Sequence, residues 1–163
     1  MARILVVVRH AKSDWSEPVA DEERPLAPRG RRQAPHVGLW IAANLEAPAL
    51  ALVSPARRAR QTWEIAAGEL PSPPTVRIEA AAYTFSGDAL AELVSELPPA
   101  ASPVVLVGHN PAAEELIAAL SGQWVRMPTA ALAVVALPSW TARRGRLLAA
   151  GRPADGPVPI RGD

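Results

Sequence analysis

The chain has no cysteine. Disulfides, thiolate catalysis and cysteine-based metal sites are therefore excluded, and histidine and the carboxylates are left as the metal ligands or side-chain bases near neutral pH. A charge excess is missing too: 17 Lys+Arg stand against 16 Asp+Glu, a formal +1. That is unlike a general nucleic-acid binder, which shows a strong basic surplus. Long apolar runs are also absent. Ile4 to Val8 is cut off by Arg9 and His10, too short for the core of a signal peptide, and no other stretch approaches the roughly 18 residues of a membrane-spanning helix. These absences predict a soluble, cytoplasmic protein with neither a membrane nor a nucleic-acid partner.

What is present is a chain of 163 residues, 49% hydrophobic and 20% charged, the proportions of one globular domain. Its 18 prolines are scattered between periodic segments and act as punctuation. The domain is expected over 1–150. A loose tail rich in Gly, Pro and charge is expected over 151–163.

Ile4-Leu5-Val6-Val7-Val8 reads as a strand buried on both faces, as in the parallel sheet of an α/β domain. A long proline-bearing loop from Ala11 to Arg29 follows, then a helix from about Gly30 to Leu45. Leu50 to Val53 is a second strand, and Ser54-Pro55 reads as the N-cap and N1 of a second helix. Val76 to Ile78 is a candidate third strand, and Leu90 to Leu97 another helix. Val104 to Val107 repeats the buried-strand pattern. Asn110-Pro111 reads as the cap of the next helix, and Ala131–Leu137 with Leu147–Ala150 as an edge hairpin. The alternation predicts an α/β fold.

Three strands end in polar residues: Arg9-His10, Ser54 with Arg57 and Arg58, and Gly108-His109-Asn110. Ligand sites of open α/β sheets lie outside the carboxyl ends of the strands. Two imidazoles, up to three guanidinium groups and two helix N-termini would surround one volume there, suited to a phosphoryl dianion. Taken singly, each has an ordinary explanation: a loop histidine, a solvated first-turn arginine, a helix cap.

The wording of these segments adds to that. Arg9-His10-Ala11-Lys12-Ser13 resembles the Arg-His-Gly signature of the histidine phosphatase superfamily, the phosphoglycerate mutase-like enzymes. Ser54-Pro55-Ala56-Arg57-Arg58-Ala59-Arg60-Gln61-Thr62 is similar to its second block, and Val107-Gly108-His109-Asn110-Pro111 to its third. Arg24-Pro25-Leu26 before Arg29-Gly30 looks most like the compact SixA-type phosphohistidine phosphatases. The resemblance runs from about Arg3 to Gly122. It implies a three-layer α/β/α sandwich around a mainly parallel sheet, and a metal-independent phosphatase without cofactor that works through a phosphohistidine intermediate.

By the same resemblance His10 is the nucleophile, Arg9 and Arg58 clamp the phosphate, His109 holds it, and Arg57 stays outside the site. The implied substrate is phosphohistidine in a protein, a role in signal transduction. The alternatives are a small phosphate ester (a phosphosugar or nucleotide), a non-catalytic phosphoryl-binding module, and, with least support, a metallohydrolase. Ester cleavage calls for an acid to protonate the leaving alkoxide. The candidates are Glu79 and Asp14, each also readable as a solvated carboxylate. Ala11 departs from the family's glycine and puts in doubt a positive φ there. Trp15 is placed to wall the site, and Trp40, Trp63, Trp124 and Trp140 read as packing or half-exposed residues. His36 has no catalytic role. The turn Arg143-Arg144-Gly145-Arg146 is either solvated or a dock for an acidic partner.

Overall fold

A computed structural model of the chain describes residues 1–162. Six strands, β1 (Arg3–Arg9), β2 (Leu50–Val53), β3 (Thr75–Ile78), β4 (Val104–Gly108), β5 (Leu132–Leu137) and β6 (Arg146–Gly151), form one sheet in the order β3-β2-β4-β1-β5-β6. The first four are parallel, and β5 and β6 add the antiparallel edge expected of the hairpin. Helices α1 (Pro28–Asn44) and α2 (Arg57–Ala67) cover one face, and α3 (Gly87–Ser95) and α4 (Ala112–Ser121) the other.

The unbroken apolar strands are explained by two cores rather than one. Leu5, Val7, Leu52, Val104 and Leu106 pack with Leu90, Val94, Leu116 and Ile117 of α3 and α4. Their neighbours Val6, Val8, Ala51, Val53, Val105 and Val107 pack on the opposite face with Val37, Ile41, Ala59 and Trp63 of α1 and α2. Successive side chains of a strand point to opposite faces, so a strand covered on both sides must be apolar at every position. The result is the three-layer α/β/α sandwich.

Helices α1 and α2 approach so closely that a Cβ on Gly38 would lie 1.9 Å from the carbonyl oxygen of Ala66. Backbone cannot retreat from that contact as a flexible side chain would. Gly38→Ala is expected to cost about 1–3 kcal/mol by overpacking, read as a lower denaturation midpoint with an unchanged m-value.

Several local expectations change. Ser54 and Pro55 are not the cap and first turn of α2: the helix starts at Arg57 with Ala56 as N-cap, while Ser54 Oγ accepts from Ala56 N at 3.2 Å just ahead of it and also belongs to the site described below. Likewise α4 starts at Ala112 after Pro111, since the Asn110 side chain donates to the Met127 carbonyl instead of capping. The tail expected to be loose is seated. Trp40 Nε1 donates to the Val158 carbonyl at 2.7 Å, Arg161 N donates to Leu148 O at 2.6 Å, and Val158 is buried in the α1–α2 core. A short apolar plug with main-chain acceptors was hidden among Pro and Gly. Asp163 of that tail lies outside the described residues.

The sheet brings the carboxyl ends of β1, β4 and β2 flush, with Arg9 beside Gly108 and Val53 beside Val107. The loop after β1 folds back over this edge. Asp14 N donates to Pro25 O at 2.8 Å, Ala27 N to Lys12 O at 2.9 Å, and Leu26 N to the Gln61 side chain at 2.8 Å. A 3-10 turn at Asp21–Glu23 sits at the apex.

Candidate active site

His10, Arg58 and His109 meet at this edge and are 7%, 3% and 3% exposed. Arg9, Lys12, Ser13, Trp15, Asp21, Arg24, Phe85, Asn110 and Thr129 complete a cavity of about 290 Å³ with them.

Each imidazole has a defined tautomer, set by its partners. His10 Nδ1 lies 2.7 Å from the Ala11 carbonyl, which only accepts, so Nδ1 carries the proton. Nε2 then holds a lone pair and accepts from Arg58 Nε at 3.4 Å. On His109, Nδ1 faces the guanidinium of Arg58 at 3.4 Å and is the acceptor, leaving Nε2–H to donate to Ser54 Oγ at 2.8 Å. The rings stand 5.2 Å apart.

Both rings are held neutral. Burial, reinforced by His109, Arg58 and Arg9 and opposed only by the Ala11 hydrogen bond, lowers His10 to about 3. Burial and then the Arg58 charge lower His109 to about 4. The cations are fixed from behind. Arg9 Nη1 donates to Met127 O at 3.1 Å, and Arg58 Nη1 to the Asp21 carbonyl at 2.7 Å. Arg9 Nε and Arg24 Nε are buried without a hydrogen-bond partner among the described residues.

Of the residues anticipated from sequence, Arg9, His10, Arg58 and His109 converge, while Arg57 is exposed on α2. Trp15 lines the cavity with the Arg24 guanidinium 3.6 Å above its ring. Glu79 and Asp14 do not line it. Glu79 pairs with Arg77 at 3.6 Å and accepts from Ala81 N, and Asp14 accepts from Ser16 N. Each carboxylate is held by its own loop. Ala11 has no positive φ and donates its N–H to Thr62 Oγ1 at 2.9 Å, so the departure from glycine causes no strain.

The residue missed from sequence is Asp21. Its carboxylate takes Arg24 Nη2 at 2.8 Å on one oxygen, and Arg58 Nη2 at 2.9 Å with the Tyr83 hydroxyl on the other. Hydrogen bonds from Arg24, Tyr83 and Arg58 hold its carboxyl well below the usual range. Asp21 lies three residues before Arg24 in an acidic run, and nothing in that run singles it out. Ser54 was the other surprise, a partner of His109 where a cap was expected.

A parallel-centred sheet whose carboxyl edge gathers two neutral imidazoles and buried guanidinium groups is the architecture of the phosphoglycerate mutase-like phosphoryl hydrolases. Residues 5–81 match the model of the histidine phosphatase superfamily (branch 1). An uncharacterized protein of Mycobacterium tuberculosis is 36% identical over 118 residues, 71% of this chain and 72% of that protein. A proposed phosphohistidine phosphatase SixA from Nakamurella multipartitia superposes with a TM-score of 0.82 at 27% identity, covering 93% of this chain and 96% of that one. Another, from Agrobacterium tumefaciens, has a TM-score of 0.75 at 26% identity, covering 83% and 92%. The chain belongs to the histidine phosphatase superfamily, branch 1, with a SixA-type architecture. It is a hydrolase of the phosphatase class.

Proposed function

We propose that the chain removes phosphoryl groups from phosphohistidine carried by proteins, with His10 as the nucleophile. Nε2 of neutral His10 attacks phosphorus while the P–N bond of the substrate breaks, and the bonding pair leaves with the substrate's imidazole. Nδ1–H against the Ala11 carbonyl stabilises the charge His10 acquires. Arg9 and Arg58 meet the charge on the equatorial oxygens, and His109, oriented by Ser54, holds the group from the other side. Water then attacks phosphorus, releasing phosphate and regenerating His10.

The observation that carries the substrate class is the state of Asp21. It is the carboxylate lining the cavity, and its two oxygens are committed to Arg24, Arg58 and Tyr83 as an anion. An alkoxide leaving group needs a proton from such a residue. A phosphoimidazole protonated at its other ring nitrogen leaves as neutral imidazole and needs none. Transfer from histidine to histidine is also near thermoneutral, consistent with a site that has cations and, among the described residues, no poised acid.

The test is phosphate release, in chelator, from a phosphohistidine-bearing protein and from a small phosphoester, with His10→Ala as control. Release from phosphohistidine in preference to the ester, lost in the control, is the expected result. Preference for the ester would move the assignment to a small-molecule phosphatase.

A further inference from the structure

Three aromatic side chains are exposed among the described residues: Trp15 at 71%, Phe85 at 63% and Trp124 at 62%. Large exposed rings gathered at one place mark an interaction surface, and these three lie in the cavity of His10 or beside it. Trp15 and Phe85 line the cavity of His10. Trp124 lines an adjoining open depression that shares Arg9 and Asn110 with that cavity and adds Glu114, Arg126, Met127 and Pro128. Other exposed apolar residues, such as Leu39 on α1 and Val76 and Ile78 on β3, belong to other elements.

The segment bearing Trp124 and Arg126 is tied to the phosphate-binding groups. Arg9 Nη1 and Asn110 Nδ2 both donate to Met127 O, at 3.1 and 2.8 Å, and Met127 N donates to Glu114 at 2.9 Å. Arg126 is exposed and has no hydrogen bond or ion pair among the described residues. A protein whose phosphohistidine enters the cavity extends over the adjoining depression and can cover Trp124 and Arg126. Unpaired cationic charge beside an exposed indole complements a surface that is apolar and acidic.

We infer that Trp124 and Arg126 form a docking surface for the protein that bears the phosphohistidine, and that the partner presents apolar and acidic residues beside it. This rests on the function proposed above. Exposed Glu17, Glu22 and Glu23 in the loop after β1 would repel acids from that loop.

Two phosphohistidine peptides of equal length, one flanked by Leu and Glu and one by Gly and Lys, and free phosphohistidine separate docking from chemistry. The Leu/Glu peptide is expected to have the lower KM. Trp124→Ala and Arg126→Glu should each raise that KM about tenfold, the effect of one well-packed interface side chain, while kcat/KM for free phosphohistidine stays within about twofold. Equal KM for the two peptides, unchanged variants, or equal losses on free phosphohistidine would overturn the docking surface and leave the phosphohistidine reading intact. Wild-type protein that cleaves a phosphoester and none of the three phosphohistidine substrates would overturn both.

Discussion

Replacing His10 by Asn is expected to lower phosphate release by about a thousandfold or more and to abolish the acid-labile phosphoenzyme trapped from wild type by rapid quench. Asn preserves much of the shape and polarity, so folding should survive, but it offers no nucleophilic nitrogen. The pH dependence tests the same residue. Because burial and three neighbouring groups lower His10 to about 3, its lone pair is available throughout pH 5–8. The kcat/KM profile reports the free enzyme. Once corrected for ionisation of the substrate's phosphoryl group, it should show no acid limb near 6.5, and its fall should begin only as pH approaches about 4, where His109 and then His10 take up protons. A limb at 6.5 would mean that His10 is solvated as an ordinary imidazole, or that another group attacks.

Arg58→Met is expected to lower kcat/KM by about a thousandfold, in the range seen when a transition-state donor or an arginine clamp is removed. Arg58 places Nε on His10 Nε2, Nη1 on the Asp21 carbonyl, and Nη2 between the Asp21 carboxylate and His109 Nδ1. A single side chain therefore orients both imidazoles and, in the proposed mechanism, supplies charge to the phosphoryl oxygens. Its removal takes a cation away from His10, so the acid limb should move up in pH; loss of packing alone would lower the rate without moving the limb. Arg57→Ala, one residue earlier and exposed, should leave both rate and limb unchanged, so the pair tests the assignment against a neighbour of identical chemistry.

The core of the fold was legible because burial on both faces leaves a periodic trace. A strand between two helical layers must be apolar throughout, and Ile4–Val8, Leu50–Val53 and Val104–Val107 are. The same strands end in Arg9-His10, Ser54 and His109, so the convergence of these groups followed from strand polarity and the resemblance together. Local capping rules misled at Ser54 and Asn110: Ser54 Oγ keeps a local bond from Ala56 N but lies ahead of the helix and also takes His109, and the Asn110 side chain goes to Met127. At Asn110 a tertiary hydrogen bond prevailed over a local one and at Ser54 it was added to one, because these side chains lie at the closed carboxyl edge of the sheet. The C-terminal segment misled for another reason: its composition is that of a tail, but Val158 finds a pocket against Trp40 that composition does not encode.

By itself, then, the sequence determined the layered α/β core, the exclusion of thiol chemistry, and the residue types at three strand ends, because periodicity, composition and strand direction are local or additive properties. Only the tertiary structure decided which carboxylate faces the cavity. Asp21 reaches Arg24, Arg58 and Tyr83 across separations of 3, 37 and 62 residues, while Glu79 and Asp14 turn to their own loops. Such pairings depend on how a long loop closes over the sheet edge, and no spacing along the chain records that closure.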